Sequence, residues 1–128
     1  METVRFLPQR TPIEQFGSGG FRFAGMSHQG GLLVLPSGMR AWPVPSLAAM
    51  SAEHFSPVVA ERTQIDFLII GTGPAMARLP AEVVAVLREC NLPHEVMATS
   101  PAVHIYNVVV EEGRRVAAAF VPVERANA

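Results

Sequence analysis
The sequence predicts an α/β domain in which an N-terminal antiparallel β meander precedes a C-terminal βαβαβ unit. Three observations carry this expectation. Residues 13–44 alternate short apolar runs with glycine turns. Residues 65–121 alternate apolar, strand-like runs with two stretches of helical i, i+3, i+4, i+7 spacing. Pro80 and Pro101 stand where those helices begin, and Asn91 and Gly113 where they end.

In the meander, Gly17-Ser18-Gly19-Gly20 is a turn, after which Phe21 and Phe23 alternate with Arg22 and Ala24. Gly30-Gly31 is a second turn, and Leu32 to Leu35 is a short buried strand. Pro36-Ser37-Gly38-Met39 turns the chain into Arg40-Ala41-Trp42-Pro43-Val44. Phe21, Phe23 and Trp42 belong to the core or, if they point outward, serve as interface anchors. From Pro45 to Glu61 a helical connector is expected, with Ser51 as N-cap and Pro57 breaking or restarting it.

Ile65 to Ile70 is apolar apart from Asp66, as a strand covered on both faces should be. Val83, Val86, Leu87 and Cys90 form one stripe of a helix that starts near Pro80. Glu95 to Ala98 is a short strand, and Thr99-Ser100 caps a helix that begins at Pro101. Its stripe is Ala102, Ile105, Tyr106 and Val109, and Val116 to Val121 is the last strand. The 128 residues suit a single domain, with loose tails expected over 1–12 and 124–128.

The totals exclude several functions. Cys90 is the lone cysteine, so no intrachain disulfide or multi-cysteine zinc site exists. Lysine is absent, which removes Schiff-base chemistry and a Walker-type phosphate loop. Asp66 is the lone aspartate, so a clustered Asp site for Mg²⁺ is out of reach. A net charge of −1 offers no broad basic field for nucleic acid. No apolar run approaches the ~18 residues that cross a bilayer. "METVRFLPQR" resembles neither a secretory signal nor a transit peptide, so a cytoplasmic location is expected. Hydrophobic residues make up 49% and charged ones only 16%, against roughly 25% charged in typical soluble domains. That predicts apolar surface and a protein partner or a homodimer contact.

"LIIGTGPAMARLP", followed by "MATSPAVHIYNVVVEEGRRVAAAFVPV", resembles the mitochondrial respiratory complex I assembly factor 3-like family, which includes small bacterial and archaeal domains of undetermined activity. "FGSGGFRFAG" and "LLVLPSGMRAWPV" extend the resemblance from about Ile13 to Val123. It implies a three-layer domain with a central mixed sheet and a small β layer. It also implies partners among respiratory-complex subunits or assembly factors, with mitochondrial relatives. The family has no firm catalytic residues. Where it carries Thr-Tyr-Asn, this chain has Ile105-Tyr106-Asn107, so a role for that threonine does not transfer.

Gly71-Thr72-Gly73 leaves a strand, but the third glycine of a dinucleotide fingerprint is replaced by Met76. A sharp exit from a buried strand accounts for both glycines. The alternative is a crevice in which Gly71, Thr72, Gly73, Arg78, Thr99 and Ser100 bind a small anion or nucleotide-like ligand at a helix N-terminus. Histidines 28, 54, 94 and 104 lack metal-ligand spacing, so neither metal nor cofactor is expected. His104, Asn107 and Glu111 share a polar helix face that is expected to be solvated. Glu111, Glu112, Arg114 and Arg115 bracket a turn, either pairing locally or forming a docking patch. Tyr106, Asn107, Glu112, Arg114 and Arg115 are the candidate interaction residues. No catalytic constellation is present, so a binding role is expected over an enzymatic one.

Overall fold
The computed structural model describes residues 7–125. Three strands, β1 (Ile13–Gly17), β2 (Gly20–Phe23) and β3 (Met26–Gln29), form an antiparallel meander in the order β1-β2-β3. A hairpin of β4 (Gly31–Leu35) and β5 (Gly38–Trp42) then enters a second sheet. A connector of three 3₁₀ turns and a short helix, α1 (Ser56–Ala60), follows. The chain continues as β6 (Phe67–Gly71), α2 (Ala81–Glu89), β7 (His94–Met97), α3 (Thr99–Glu111) and β8 (Val116–Phe120). The second sheet has five strands in the order β5-β4-β8-β6-β7. β6 runs parallel to β7 and β8, and β4 runs antiparallel to β8, so the sheet is mixed.

The path from β6 moves outward to β7, then back past β6 to β8. Right-handed crossovers in opposite directions place α2 and α3 on opposite faces of the sheet, and the two cores confirm it. Leu33, Leu35, Leu68, Ile70, Ala117 and Ala119 face Val83 and Leu87 of α2, together with Trp42, Phe55 and Val58. Leu32, Val34, Ile69, Ala118 and Phe120 face Ala102, Val103 and Tyr106 of α3, together with Phe21 and Phe23 of the meander. Period-2 alternation thus feeds two cores from one sheet. Every residue of β4 and of β8 is buried, as expected of strands covered on both faces.

The expected elements form with shifted ends. The strand expected over 65–70 is Phe67–Gly71, and Asn91 adopts the left-handed conformation at φ 54° that ends α2. The connector is chiefly 3₁₀ in character. Ser51 does cap it: its hydroxyl accepts the His54 N–H, and His54 Nδ1 accepts the Ser51 N–H at 3.0 Å. Pro57 restarts the chain as α1. α3 begins at Thr99 rather than Pro101, and neither Thr99 nor Ser100 caps it. Its buried stripe includes Val103, which the expected pattern left out, and excludes Ile105, which is 42% exposed.

The segment before β1, expected to be loose to residue 12, is fastened from Leu7 onward. Leu7 and Met39 exchange backbone bonds of 2.9 and 2.8 Å along β5. A side chain at Gly38 would run into the Leu7 carbonyl, so this pairing requires glycine. Arg10 donates to the Val116 carbonyl at 2.9 Å, and the Tyr106 hydroxyl donates to the Thr11 carbonyl at 2.8 Å. The Asn107 amide then grips Ile13 from both sides. Its Oδ1 accepts the Ile13 N–H at 2.7 Å, and its Nδ2 donates to the Ile13 carbonyl at 2.9 Å. Residues 1–6 and 126–128 of the expected tails lie outside the described residues.

Asn107→Ala should therefore detach the start of β1 and cost about 1–3 kcal/mol in urea unfolding. The Ile13 amide should exchange hydrogen much faster while β8 amides stay protected. An Ile13 amide that remains as protected as before would show that the meander holds itself in place.

Candidate functional site
The carboxyl ends of β6, β7 and β8 meet where the fold offers a crevice. Loops leave β6 toward α2 and β7 toward α3, on opposite faces, which is the switch point at which α/β sheets usually bind ligands. Here the two loops are bonded to each other. The Thr72 N–H donates to the Met97 carbonyl at 2.9 Å, and the Thr99 N–H donates to the Gly73 carbonyl at 2.9 Å. The Thr99 hydroxyl accepts the Gly73 N–H at 2.9 Å and donates to the Val121 carbonyl at 2.6 Å. The Thr72 hydroxyl lies 2.7 Å from the Ala75 carbonyl and 3.2 Å from the Met97 carbonyl, and donates toward both.

Thr72, Thr99 and Ser100 are all buried. A Cβ on Gly71 would lie 2.9 Å from Thr99 Cα, so α3 can approach β6 this closely only over glycine. Gly73 has φ +110°, a second position that favours glycine. The backbone donors that an anion would need at Thr72, Gly73 and Thr99 already have protein acceptors, and the Ala102 N–H is taken by Ala98. Five of the six residues expected to line the crevice are thus brought together, with Gly73 and Thr99 bonded to each other and Thr72 to Met97 and Ala75. Arg78, the sixth, is exposed in the loop beyond.

The candidate interaction residues divide in two. Tyr106 is fully buried, edge-on to Phe120 at 5.7 Å between ring centroids, so it belongs to the core rather than the surface. Burial raises its hydroxyl pKa above the ordinary 10.0, against the opposing effect of the Arg10 guanidinium. Asn107 holds Ile13, and His104 packs edge-on against Phe16 at 6.2 Å. The polar face of α3 expected to be solvated therefore holds β1 in place through two of its three residues.

Glu112, Arg114 and Arg115 are exposed, but the expected pairing across the Gly113 turn is replaced by other contacts. Arg115 bonds Asp66 at 3.0 Å and holds its carboxyl below the usual range. Arg114 lies over the Phe67 ring, 5.0 Å from its centroid. Phe21, Phe23 and Trp42 are core residues. Among the described residues, the large apolar side chains left exposed are Met76 at 67%, Ile105 at 42% and Val108 at 59%. Ile105 and Val108 stand one turn apart on α3 and were not among the expected site residues. No group of three or more metal-ligating side chains occurs among the described residues.

A three-layer α/β domain with a laced switch point and an outward apolar pair on α3 defines the class. Residues 13–121 match the family model described as a protein of unknown function (DUF498/DUF598), and the chain belongs to that family. An uncharacterised protein of Rhodobacter capsulatus is 38% identical, over 87% of this chain and 84% of that one. NADH dehydrogenase [ubiquinone] 1 alpha subcomplex assembly factor 3 of Danio rerio is 34% identical over 88% of this chain. The chain spans 64% of that relative's length.

Among solved structures, one described as an outer membrane protein from Bartonella henselae aligns with a TM-score of 0.88 and 41% identity. That alignment covers 94% of this chain and all (100%) of that one. A Bordetella pertussis protein described as a Mth938-like domain shares the fold, with a TM-score of 0.74 and 23% identity over 88% of this chain and 85% of that one. No helix of the described residues is long and apolar enough to cross a membrane.

Thr99→Val should leave the Gly73 N–H and the Val121 carbonyl unpaired and cost about 1–3 kcal/mol in urea unfolding. Thr99→Ser, which keeps the hydroxyl, should cost clearly less; equal losses would show that the methyl group, and not the bonds, matters there. Tyr106 gives a pH test, being the chain's one tyrosine. The fold favours its neutral form, so this contribution is complete below pH 10 and is lost as pH rises from there through the raised native value. Tyrosinate absorbance should stay absent in native protein at pH 10.5 but appear in urea. Equal absorbance in both would refute the burial effect.

Proposed function
We propose that the domain is a non-enzymatic protein-interaction module that assists the assembly of a respiratory complex, as the name of its zebrafish relative suggests for that protein. One observation supports this reading: at the strand ends where an α/β domain would hold a small ligand, the hydroxyls of Thr72 and Thr99 bond to the backbone of Ala75, Gly73 and Val121. Met76, Ile105 and Val108 are instead turned to the outside, where they supply apolar contact area. The partners are respiratory-complex subunits or fellow assembly factors, and the site of action is the cytoplasm.

Deletion of the gene in its native cell tests this reading. Membranes from the deletion strain should lose several-fold in NADH:quinone oxidoreductase activity while succinate oxidation is unchanged. A tagged chain should co-purify subunits of that complex. Unchanged NADH oxidation would overturn the reading, as would a stoichiometric bound cofactor in freshly isolated protein.

A further inference from the structure
On the α3 side of the central sheet the covering layers stop short of the edge. The meander packs with β4 and β5, α3 lies over β6 and β8 and touches β7 least, and β7 is the outermost strand. Met97 joins the core on the α3 side, whereas Val96 joins the opposite one. Alternation along the strand therefore turns Glu95, which is exposed, to the α3 side as well. Asn107 marks the flank of α3 that meets β1. At roughly 100° per residue, Ile105 lies on the other flank and looks out over β7. A helix seated beside α3 at the usual spacing of about 8–10 Å would rest over β7 and its open edge.

The border of this strip is acidic. Glu111 and Glu112 follow Val108 by three and four residues: Glu112 lies near the Ile105 flank, and Glu111 lies on the far side of Val108, toward Asn107. They stand at the negative end of the α3 dipole, where they oppose helix stability, and the last turn contains no basic residue. The two arginines that follow are engaged with Phe67 and Asp66. Glu95 adds a third acidic group. Locally unfavourable charge that the chain itself does not compensate points to a site used in binding.

We propose that Ile105, Val108 and Met97, bordered by Glu95 and Glu112 with Glu111 beyond Val108, seat a basic amphipathic helix of a partner protein that lies alongside α3 and roofs β7. This surface rests on the protein-binding reading above and gives it a location and a partner chemistry. A second copy of this chain is a poorer occupant, because a two-fold contact on this strip would bring like carboxylates together.

A photo-crosslinking residue placed at position 108 of the full chain in native cells, and at exposed position 63 as a control, tests the surface. The adduct at 108 should map to a partner segment with apolar residues at helical spacing flanked by Lys or Arg, and position 63 should not capture it. A synthetic peptide of that segment should bind the purified protein, and Val108→Glu should weaken it at least tenfold. Replacing Glu111 and Glu112 together by Lys should weaken it about tenfold, yet raise the melting temperature by roughly 2 °C as the dipole conflict is relieved. Acidic replacements on the peptide should restore binding to that double variant. An adduct with this chain itself, or with an acidic segment, overturns the proposal. Absence of an adduct at 108 also overturns it; if respiratory subunits still co-purify, the protein-binding reading stands and only this surface falls.

Discussion
The Thr99 hydroxyl is the point on which the arrangement of the domain depends. It accepts from Gly73 and donates to Val121, joining the ends of β6 and β8 to the first residue of α3, all out of contact with water. A buried hydroxyl with both roles filled is stabilising, whereas either partner left alone would incur a desolvation cost of about 1–3 kcal/mol. The position of α3 follows from it. Gly71 lets the helix start against the strand, and Ala118 of β8 presents a low surface beneath it, beside which Phe120 and Tyr106 meet edge to face. The place where other α/β domains hold a ligand is used here to set a helix.

The second constraint is the wrapping of the N-terminal segment. The meander is attached by packing, by side chains of α3 and by its first turn, where the Ser18 and Gly19 N–H groups donate to the Glu124 and Val123 carbonyls at 2.7 and 2.9 Å. Asn107 imitates a neighbouring strand by offering one acceptor and one donor to the same residue, and Tyr106 extends the grip to Thr11. These bonds explain why tyrosine and asparagine occur together in a helix of otherwise apolar character. They also explain why the position before them is free to be Ile105: it points to the opposite flank and takes no part in the grip.

Most of the fold was legible because its signals are local. The two helical stripes, the turn at Ser18-Gly19 and the prolines at 80 and 101 each declare an element within a few residues. The failures share a cause. Thr99-Ser100 looks like a cap because a hydroxyl before proline usually is one; whether that hydroxyl turns back to its own helix or across to Val121 depends on a strand 22 residues away. Tyr106 and Asn107 looked like surface candidates because their partners lie 95 and 94 residues earlier in the chain. Ile105 fits the apolar stripe by spacing, but the stripe's centre is fixed by where the meander packs. The local pattern carries no trace of that.

Composition also reads differently once the layers are known. Sparse charge suggested a surface that is partly apolar, yet the sheet is buried on both faces, and two cores absorb most of the leucines, valines and alanines. The apolar excess is therefore mostly interior, which makes the few outward apolar side chains more informative than the average suggested. Ile105 and Val108 share α3 with residues whose inner contacts fix the helix in place, so the pair is held on a rigid support. Polar or charged side chains there would cost the isolated domain little, since neither residue is buried. Glu111 and Glu112, by contrast, stand where carboxylates weaken the helix that carries them. An outward apolar pair and the unfavourably placed acids beside it share the proposed account, in which both are completed by a partner that lies across β7.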